Sequence, residues 1–113
     1  MVDNSVESTG DSKNQFVSNN TNDKVFLLSY AEAILYFASD EARIKQPTQY
    51  AKSQGAYVST NSASKGNGYW MLRSPFAVRD YYVKRVDYNG EVDRSRYVGN
   101  TDTGIVPALW IVF

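Results

Sequence analysis

Residues 81–98 read YYVKRVDYNGEVDRSRYV, two runs rich in aromatic and β-branched residues on either side of Asn89-Gly90. Asn-Gly is the strongest short-range signal for a β-hairpin, because both residues tolerate the positive φ angles of a tight turn. The two flanking runs are therefore predicted to be antiparallel strands. This hairpin is the feature from which the rest of the fold is worked out.

The register of the hairpin depends on the length of its turn. A two-residue turn would set Arg85 opposite Arg94, and like charges directly opposite each other destabilise a strand pair. A bulge at Gly90 would shift the register by one residue and pair Arg85 with Asp93. We therefore expect the bulged register.

Further strands are predicted on both sides of the hairpin. Residues 69–74, YWMLRS, form a strand-like run that ends at Pro75, and residues 107–113, PALWIVF, are too apolar to be exposed on both faces of a strand. Residues 24–28, KVFLL, suit a short buried strand near the start of the ordered region. Most of the second half of the chain is thus expected to be β-structure.

Two helices are predicted between residues 29 and 55. Ser29 and Glu32 form the Ser-x-x-Glu capping box, which satisfies two free N–H groups at a helix start. A second start is expected at Thr48, and Gly55 stands where a left-handed residue ends a helix. A strand, two helices and several antiparallel strands predict an α+β fold, with two short helices packed on a small, mainly antiparallel sheet with long loops.

The first 22 residues differ in character from the rest. They are rich in Asn, Ser and Thr, and Phe16 is their only aromatic residue. Such a composition buries too little apolar surface to offset the entropy of ordering. We therefore expect a disordered leader or linker over 1–22 and one domain over 23–113.

The composition excludes several classes of function. The 113 residues contain no cysteine and no histidine, and the 12 basic residues cancel the 12 acidic ones. The chain therefore lacks the residues for thiol or Ser-His catalysis and the commonest transition-metal ligands. It also lacks the excess of positive charge that is typical of proteins that bind nucleic acid. No apolar run reaches the ~20 residues of a membrane span. We expect neither an enzyme nor a cofactor or metal site.

Four sequence blocks stand in an order that resembles a known family. They are residues 26–33 (FLLSYAEA), 47–52 (PTQYAK), 70–75 (WMLRSP) and 107–111 (PALWI). Together they resemble a bacterial domain family of unknown function that is frequent in gut anaerobes and often found in cell-surface proteins. The resemblance covers about 23–113. It implies a cell-surface or secreted protein, while the lack of a signal region at the start of the chain leaves a cytoplasmic location as the alternative.

The Trp-x-Leu-Arg-Ser and Pro-Ala-Leu blocks more distantly resemble C-type-lectin-like folds, including the formylglycine-generating-enzyme group and the variable proteins of diversity-generating retroelements. This likeness implies a C-type-lectin-like fold and carries no activity with it. Val106 stands where the pattern has an arginine before its last proline. The catalytic cysteines of the formylglycine group and the calcium triplets of sugar-binding lectins have no counterpart in this chain.

Tyrosine and arginine in the second half of the chain are the best candidates for ligand contact, because both are enriched at interface hot spots. The predicted contact set over 76–104 consists of Phe76, Arg79, Tyr81, Tyr82, Arg85, Tyr88, Arg94, Arg96, Tyr97 and Asn100. Its ligand would be a protein or a glycan. Two alternatives remain: a structural domain of a larger cell-surface protein, and a variable ligand-binding protein of a retroelement.

Three residues of the four sequence blocks are assigned to the scaffold instead. Arg73 is expected to fix loop carbonyls or a carboxylate with its guanidinium fork. Trp70 and Trp110 are expected in the core, because both stand in apolar strand runs. The hairpin carboxylates, Asp80, Asp87, Glu91, Asp93 and Asp102, are expected to be solvated beside arginines rather than to form a catalytic pair.

Overall fold

The computed structural model describes residues 1–77, 81–92, 94–97 and 102–111, and for 94–97 it describes the backbone. The chain forms a small α+β domain, as the sequence predicts. Its helices are a 3₁₀ helix over Val6–Thr9, α1 over Tyr30–Tyr36, α2 over Asp40–Arg43 and α3 over Gln49–Ser53. Its strands are β1 Phe26–Leu27, β2 Tyr69–Pro75, β3 Tyr82–Val86, β4 Arg94–Tyr97, β5 Thr103–Gly104 and β6 Pro107–Ala108.

The main sheet has four strands in the order β4-β3-β2-β5. β2 pairs antiparallel with β3 and parallel with β5, and β3 pairs antiparallel with β4. A separate two-stranded sheet joins β1 to β6, with Phe26 opposite Ala108. The sheet is therefore mixed, and its antiparallel part is the predicted hairpin together with β2.

The turn of the hairpin has the bulged form that the sequence predicts. Gly90 adopts a φ of 89°, in the left-handed region that favours glycine. Its N–H donates to the carbonyl of Asp87 at 3.0 Å, and the Asp87 N–H donates to the carbonyl of Glu91 at 2.9 Å. Three residues thus separate the hydrogen-bonded pair, one more than in a two-residue turn.

The register predicted for the strands beyond this turn is wrong. Arg85 lies opposite Arg94 and not opposite Asp93. Two residues separate Glu91 from Arg94, whereas only one separates Asp87 from Arg85. This extra residue returns the strand pairing to the register of a two-residue turn. The repulsion that argued against this pairing is offset on the Arg85 side by an aromatic ring and a carboxylate, described below.

Both predicted helix starts are confirmed. The Glu32 N–H donates to Ser29 Oγ at 3.1 Å, and the Ser29 N–H donates to Glu32 Oε1 at 2.9 Å, which completes the capping box of α1. The Thr48 side chain caps α3, and Gly55 follows that helix with a φ of 97°. In each case a local side-chain signal was sufficient to fix the boundary.

The helix α2 is an addition to the two helices expected from the sequence. It consists of four residues in a polar stretch, capped by Ser39, whose Oγ accepts a hydrogen bond from the Ala42 N–H at 3.3 Å. Its last residue, Arg43, is only 5% exposed. The Arg43 carbonyl accepts a hydrogen bond from Trp70 Nε1 at 2.9 Å, so α2 is fixed directly to the core.

The core lies between one face of β2 and β3 and the helix α1. Burial alternates along β2, so that Trp70 and Leu72 point into the core while Tyr69 and Met71 lie on the opposite face. The buried apolar residues are Val2, Phe26, Leu28, Ala33, Trp70, Leu72, Val86 and Val92. Val106 is partly buried and packs against this cluster.

Residues 1–22 pack on the domain, which differs from the disordered leader expected there. Val2 is 1% exposed and belongs to the core, and an isolated antiparallel β-bridge pairs its backbone with that of Thr21. Asn14 Nδ2 donates to the carbonyl of Pro75 at 2.7 Å. Composition alone missed this segment because its ordering rests on polar side chains that bond backbone groups and on one buried valine.

Hydrogen bonds from the Ser5 side chain and backbone lower the pKa of Asp3.

Residues 107–111 also differ from the expectation of a buried strand over 107–113, of which 112–113 lie outside the described residues. β6 has two residues, and after it Leu109, Trp110 and Ile111 are 58%, 54% and 65% exposed. Trp110 is therefore outside the core to which the sequence assigned it. Its ring packs on the rings of Phe26 and Tyr36 at centroid distances of 6.1 and 6.2 Å. The apolar run PALWI predicts a strand, but it does not indicate which other segments pack against that strand.

Candidate functional site

Three tyrosine rings meet on the face of the sheet opposite the core. The rings of Tyr57 and Tyr69 are stacked, with centroids 4.7 Å apart and an interplanar angle of 18°. The Tyr88 ring lies 5.9 Å from Tyr69 and 6.2 Å from Tyr57. We call Tyr57, Tyr69 and Tyr88 the tyrosine cluster. Tyr57 is 38% exposed, so the cluster reaches the surface.

Arg85 lies beneath the tyrosine cluster. Its guanidinium carbon is 3.5 Å from the centroid of the Tyr69 ring, within the range of a cation–π contact. Arg85 Nη1 also donates to Thr103 Oγ1 at 3.4 Å and lies 4.0 Å from Asp102 Oδ2. The side chain is 7% exposed. The buried guanidinium of Arg85 therefore packs against the Tyr69 ring and lies near the carboxylate of Asp102, the residue before β5.

Neighbouring segments hold the cluster in place through backbone contacts. Asn67 Nδ2 donates to the carbonyl of Tyr88 at 3.0 Å, and the Tyr57 N–H donates to the carbonyl of Asp102 at 2.9 Å. Asn67 is 8% exposed and belongs to the loop before β2. The three tyrosines thus come from three separate segments that are tied to one another near the rings.

The hairpin turn beside Tyr88 is fixed to α2. Arg43 Nε donates to the carbonyl of Gly90 at 3.0 Å, and Arg43 is also paired with Asp40. A Cβ placed on Gly90 would lie 1.8 Å from the carbonyl oxygen of Asp40. Only glycine permits this close approach, so the turn is docked against α2.

The structure does not bring the predicted contact set together on one surface. Arg85 and Tyr88 join the tyrosine cluster at one end of β3. At the other end, the rings of Phe76 and Tyr82 lie 6.4 Å apart, and Tyr81 is 63% exposed. Tyr82 opens β3, whereas Tyr88 lies in the turn beyond its other end, and the strand between them rises ~3.3 Å per residue. These are two separate aromatic groups.

The remaining predicted contacts are known only in part. In β4, the backbone of Tyr97 lies opposite Tyr82 and that of Arg96 opposite Val83, and nothing further is described for these two or for Arg94. Arg79 and Asn100 lie outside the described residues.

Sequence reasoning missed Tyr57 and Tyr69, two of the three members of the cluster. Tyr69 opens the strand that supplies Trp70 to the core, and strand alternation by itself sets it on the opposite face. That signal was available in the sequence. Tyr57 follows α3 by a few residues and carried no such signal, because its place depends on the long-range bond to Asp102.

Arg73 connects three parts of the domain. Its Nη1 donates to the carbonyl of Leu27 at 2.8 Å and pairs with Glu32, which ties β2 to β1 and α1. Its Nε donates to Asn4 Oδ1 at 3.0 Å, and its Nη2 donates to the carbonyl of Asp3 at 2.6 Å. The fork is thus engaged with loop carbonyls and a carboxylate inside the molecule.

The hairpin carboxylates are not gathered at one point as far as they are described. Asp87 is 2% exposed and accepts a hydrogen bond from the Asn89 N–H at 2.9 Å, while Asp102 lies near Arg85. Glu91 is exposed. Asp80 and Asp93 lie outside the described residues. Within the described part of the chain, no three acidic residues come together as a metal site would require.

A family model for a domain of unknown function, DUF6273, matches residues 1–113. The chain belongs to this family. Neither a curated protein nor a solved structure matches it. The match extends through the first 22 residues, the same segment that the structure packs against β2 in this DUF6273 domain.

Two further surface features of this DUF6273 domain are apolar. One is a groove of about 220 Å³ between α3 and residues 104–107, whose lining includes Tyr69. The other is the surface around Trp110, where Tyr36 and Leu109 line a shallow depression with it. Across the residues described, every helix falls short of the length and apolar character that a bilayer span requires.

Proposed function

We propose that this domain is a non-catalytic interaction module that recognises a protein or glycan ligand through a surface centred on the tyrosine cluster. The contact between Arg85 and Tyr69, at 3.5 Å, is the observation that carries the proposal. It places a buried cation beneath a ring whose stacked neighbour, Tyr57, reaches solvent. Tyrosine offers a large rigid surface with a polar end, which suits both protein and sugar contacts.

Preorganisation supports a role in binding. Hydrogen bonds with Asn67 and Asp102 fix the backbones of Tyr88 and Tyr57, and the three rings pack on one another, so little side-chain freedom is left to lose on ligand contact. Immobilising a free side chain at an interface costs ~0.5–1.5 kcal/mol. A surface that is already ordered avoids much of that cost.

A non-catalytic role is supported by the residue types present. The sequence has no histidine and no cysteine, and the residues that meet at the cluster are tyrosines, an arginine, an asparagine and one carboxylate, Asp102. Tyrosine, arginine and asparagine are not ordinary general bases near neutral pH, and Asp102 lies 4.0 Å from Arg85 Nη1 as its counter-ion. The proposal therefore involves no reaction step and no cofactor.

The proposal includes the finer assignments that the family resemblance implies. These are a C-type-lectin-like arrangement of the α+β domain and display at the bacterial cell surface. The Trp-x-Leu-Arg-Ser block supports the first, since it forms the central strand β2 and supplies Trp70 to the core and Arg73 to the links between segments.

The test is a binding screen of the purified domain against a glycan array and a displayed random-peptide library. We expect ligands whose affinity falls at least tenfold in the Tyr57→Ala and Tyr88→Ala variants, which are checked for folding by thermal unfolding. Tyr50, which is 75% exposed and lies in α3, gives the matched control Tyr50→Ala. Ligands that bind the Tyr57→Ala and Tyr88→Ala variants as tightly as the native domain would refute the proposal.

A second candidate function is that of a structural domain that packs against another part of a larger cell-surface protein. The exposed apolar surface formed by Tyr36, Leu109 and Trp110 favours it, with exposures of 50%, 58% and 54%. Contiguous exposed apolar surface of this kind marks contact sites. Light scattering after size exclusion tests it: the isolated domain should self-associate, and the double variant L109S/W110S should be monomeric. A native domain that is monomeric at high concentration would count against it.

A further inference from the structure

An apolar groove lies beside the tyrosine cluster. It is bounded by α3 on one side and by Ile105 and Pro107 on the other, and its lining includes Tyr69. We propose that this groove receives one apolar side chain of a protein ligand, with a carboxylate of the same ligand placed near Lys45. The inference rests on the proposed function and narrows the ligand from protein or glycan to a polypeptide.

The size of the groove fits a single side chain. Its volume is about 220 Å³, whereas pockets for drug-sized ligands and cofactors occupy ~300–1,000 Å³. A leucine or phenylalanine side chain can enter a groove of this size.

The walls of the groove are apolar. Pro47, Ala51, Ile105, Val106 and Pro107 line it, and Ile105 is 58% exposed. Burying an apolar side chain against such walls contributes ~25 cal/mol per Å² of apolar surface removed from water. The hydroxyl groups of a sugar would lose their hydration there and find few partners, which favours a peptide side chain over a glycan.

The charge of the groove selects for an acidic neighbour. Of the described residues that line it, Lys45 alone is charged, and Gln46 and Thr48 are its neighbours with polar side chains. The Lys45 ammonium lies 5.4 Å from the centroid of the Phe37 ring, which holds the side chain beside the domain surface. A carboxylate on the ligand would complement this cation, whereas a basic ligand would be repelled.

Tyr69 makes the groove continuous with the tyrosine cluster. Its ring stacks on Tyr57, and the same residue is among those that line the groove. A polypeptide that crosses the cluster can therefore place one side chain in the groove without leaving the surface. The ligand would contact the two features together.

The experiment sequences the peptides selected from the displayed random-peptide library and measures their affinities by fluorescence polarisation. We expect a consensus of one large apolar residue next to Asp or Glu. Ala51→Leu, which fills the groove, should weaken binding at least tenfold, and Lys45→Gln should weaken it about fivefold, as for an accessible ion pair. Leu35→Ser, which changes a 75% exposed leucine on α1, is the control and should leave binding unchanged.

The outcomes separate this inference from the proposed function. Glycan ligands that depend on Tyr57, with no peptide selected, would overturn the groove inference and leave the interaction module standing. Selected peptides that lack an acidic residue, or that bind the Lys45→Gln and Ala51→Leu variants as tightly as the native domain, would also overturn it. Peptides that depend on Lys45 and Ala51 but not on Tyr57 would support the groove and refute the tyrosine-centred surface.

Discussion

The guanidinium of Arg85 lies 3.5 Å from the centroid of the Tyr69 ring and 4.0 Å from the Asp102 carboxylate. This arrangement explains how the hairpin tolerates Arg85 opposite Arg94 in the strand pairing. The charge of Arg85 is neutralised by partners on β2 and beside β5, so it does not depend on the residue opposite. The same contact fixes the ring on which the tyrosine cluster is built.

A double-mutant cycle measures that contact. Arg85→Met and Tyr69→Leu should each destabilise the domain, and their coupling energy should be about 1–2 kcal/mol, the strength of a desolvated cation–π pair. Urea unfolding of the native, single and double variants gives the value. A coupling energy near zero would mean that the two side chains are adjacent without stabilising each other.

Replacement of Gly90 by alanine should lower the free energy of unfolding by more than its positive φ alone explains. Its φ of 89° resembles the 97° of Gly55, but a Cβ on Gly90 would meet the Asp40 carbonyl at 1.8 Å. Gly55→Ala, for which no such close contact is described, should lower the free energy of unfolding by ~1 kcal/mol. Gly90→Ala should cost at least ~3 kcal/mol, because strain and the lost docking add to the same backbone term. Equal costs in thermal unfolding would show that the turn is not docked on α2.

The N-terminal segment should contribute to stability. Val2 is 1% exposed in the core, whereas Val17 is 37% exposed in the same segment. Val2→Ala should lower the free energy of unfolding by about 2 kcal/mol, the order expected when buried methyl groups are removed. Val17→Ala should change it by less than ~0.5 kcal/mol. If chemical denaturation gives the same small change for both, residues 1–22 are a leader after all.

Local signals in the sequence were sufficient for the helix starts and for the turn. The capping box of Ser29 and Glu32, the cap at Thr48 and the positive φ of Gly90 each depend on residues within one turn of chain. Such features do not require knowledge of the rest of the fold. The α+β class followed from their order along the chain.

Features that depend on residues distant in sequence could not be predicted from local signals. The register at Arg85 is compatible with Arg94 because Asp102 and Tyr69, far apart in sequence, surround its charge. The packing of Val2 and the exposure of Trp110 likewise depend on which surfaces the folded chain leaves available. Propensity and composition describe segments, and these outcomes are set by contacts between segments.

The candidate site was predicted in part for the same reason. Arg85 and Tyr88 were identified because they belong to the hairpin. Tyr69 was overlooked although alternation with Trp70 places it on the opposite face of β2. Tyr57 joins them through a hydrogen bond to the carbonyl of Asp102, a contact that no local pattern indicates.

The most direct measurement compares the affinity of the Tyr57→Ala and Tyr50→Ala variants for ligands selected with the native domain. Both tyrosines are exposed, at 38% and 75%, but only Tyr57 belongs to the tyrosine cluster. We predict at least a tenfold loss of affinity for Tyr57→Ala and no change for Tyr50→Ala, with both variants folded. Equal affinities for the two variants would contradict the assignment of the tyrosine cluster as the contact surface.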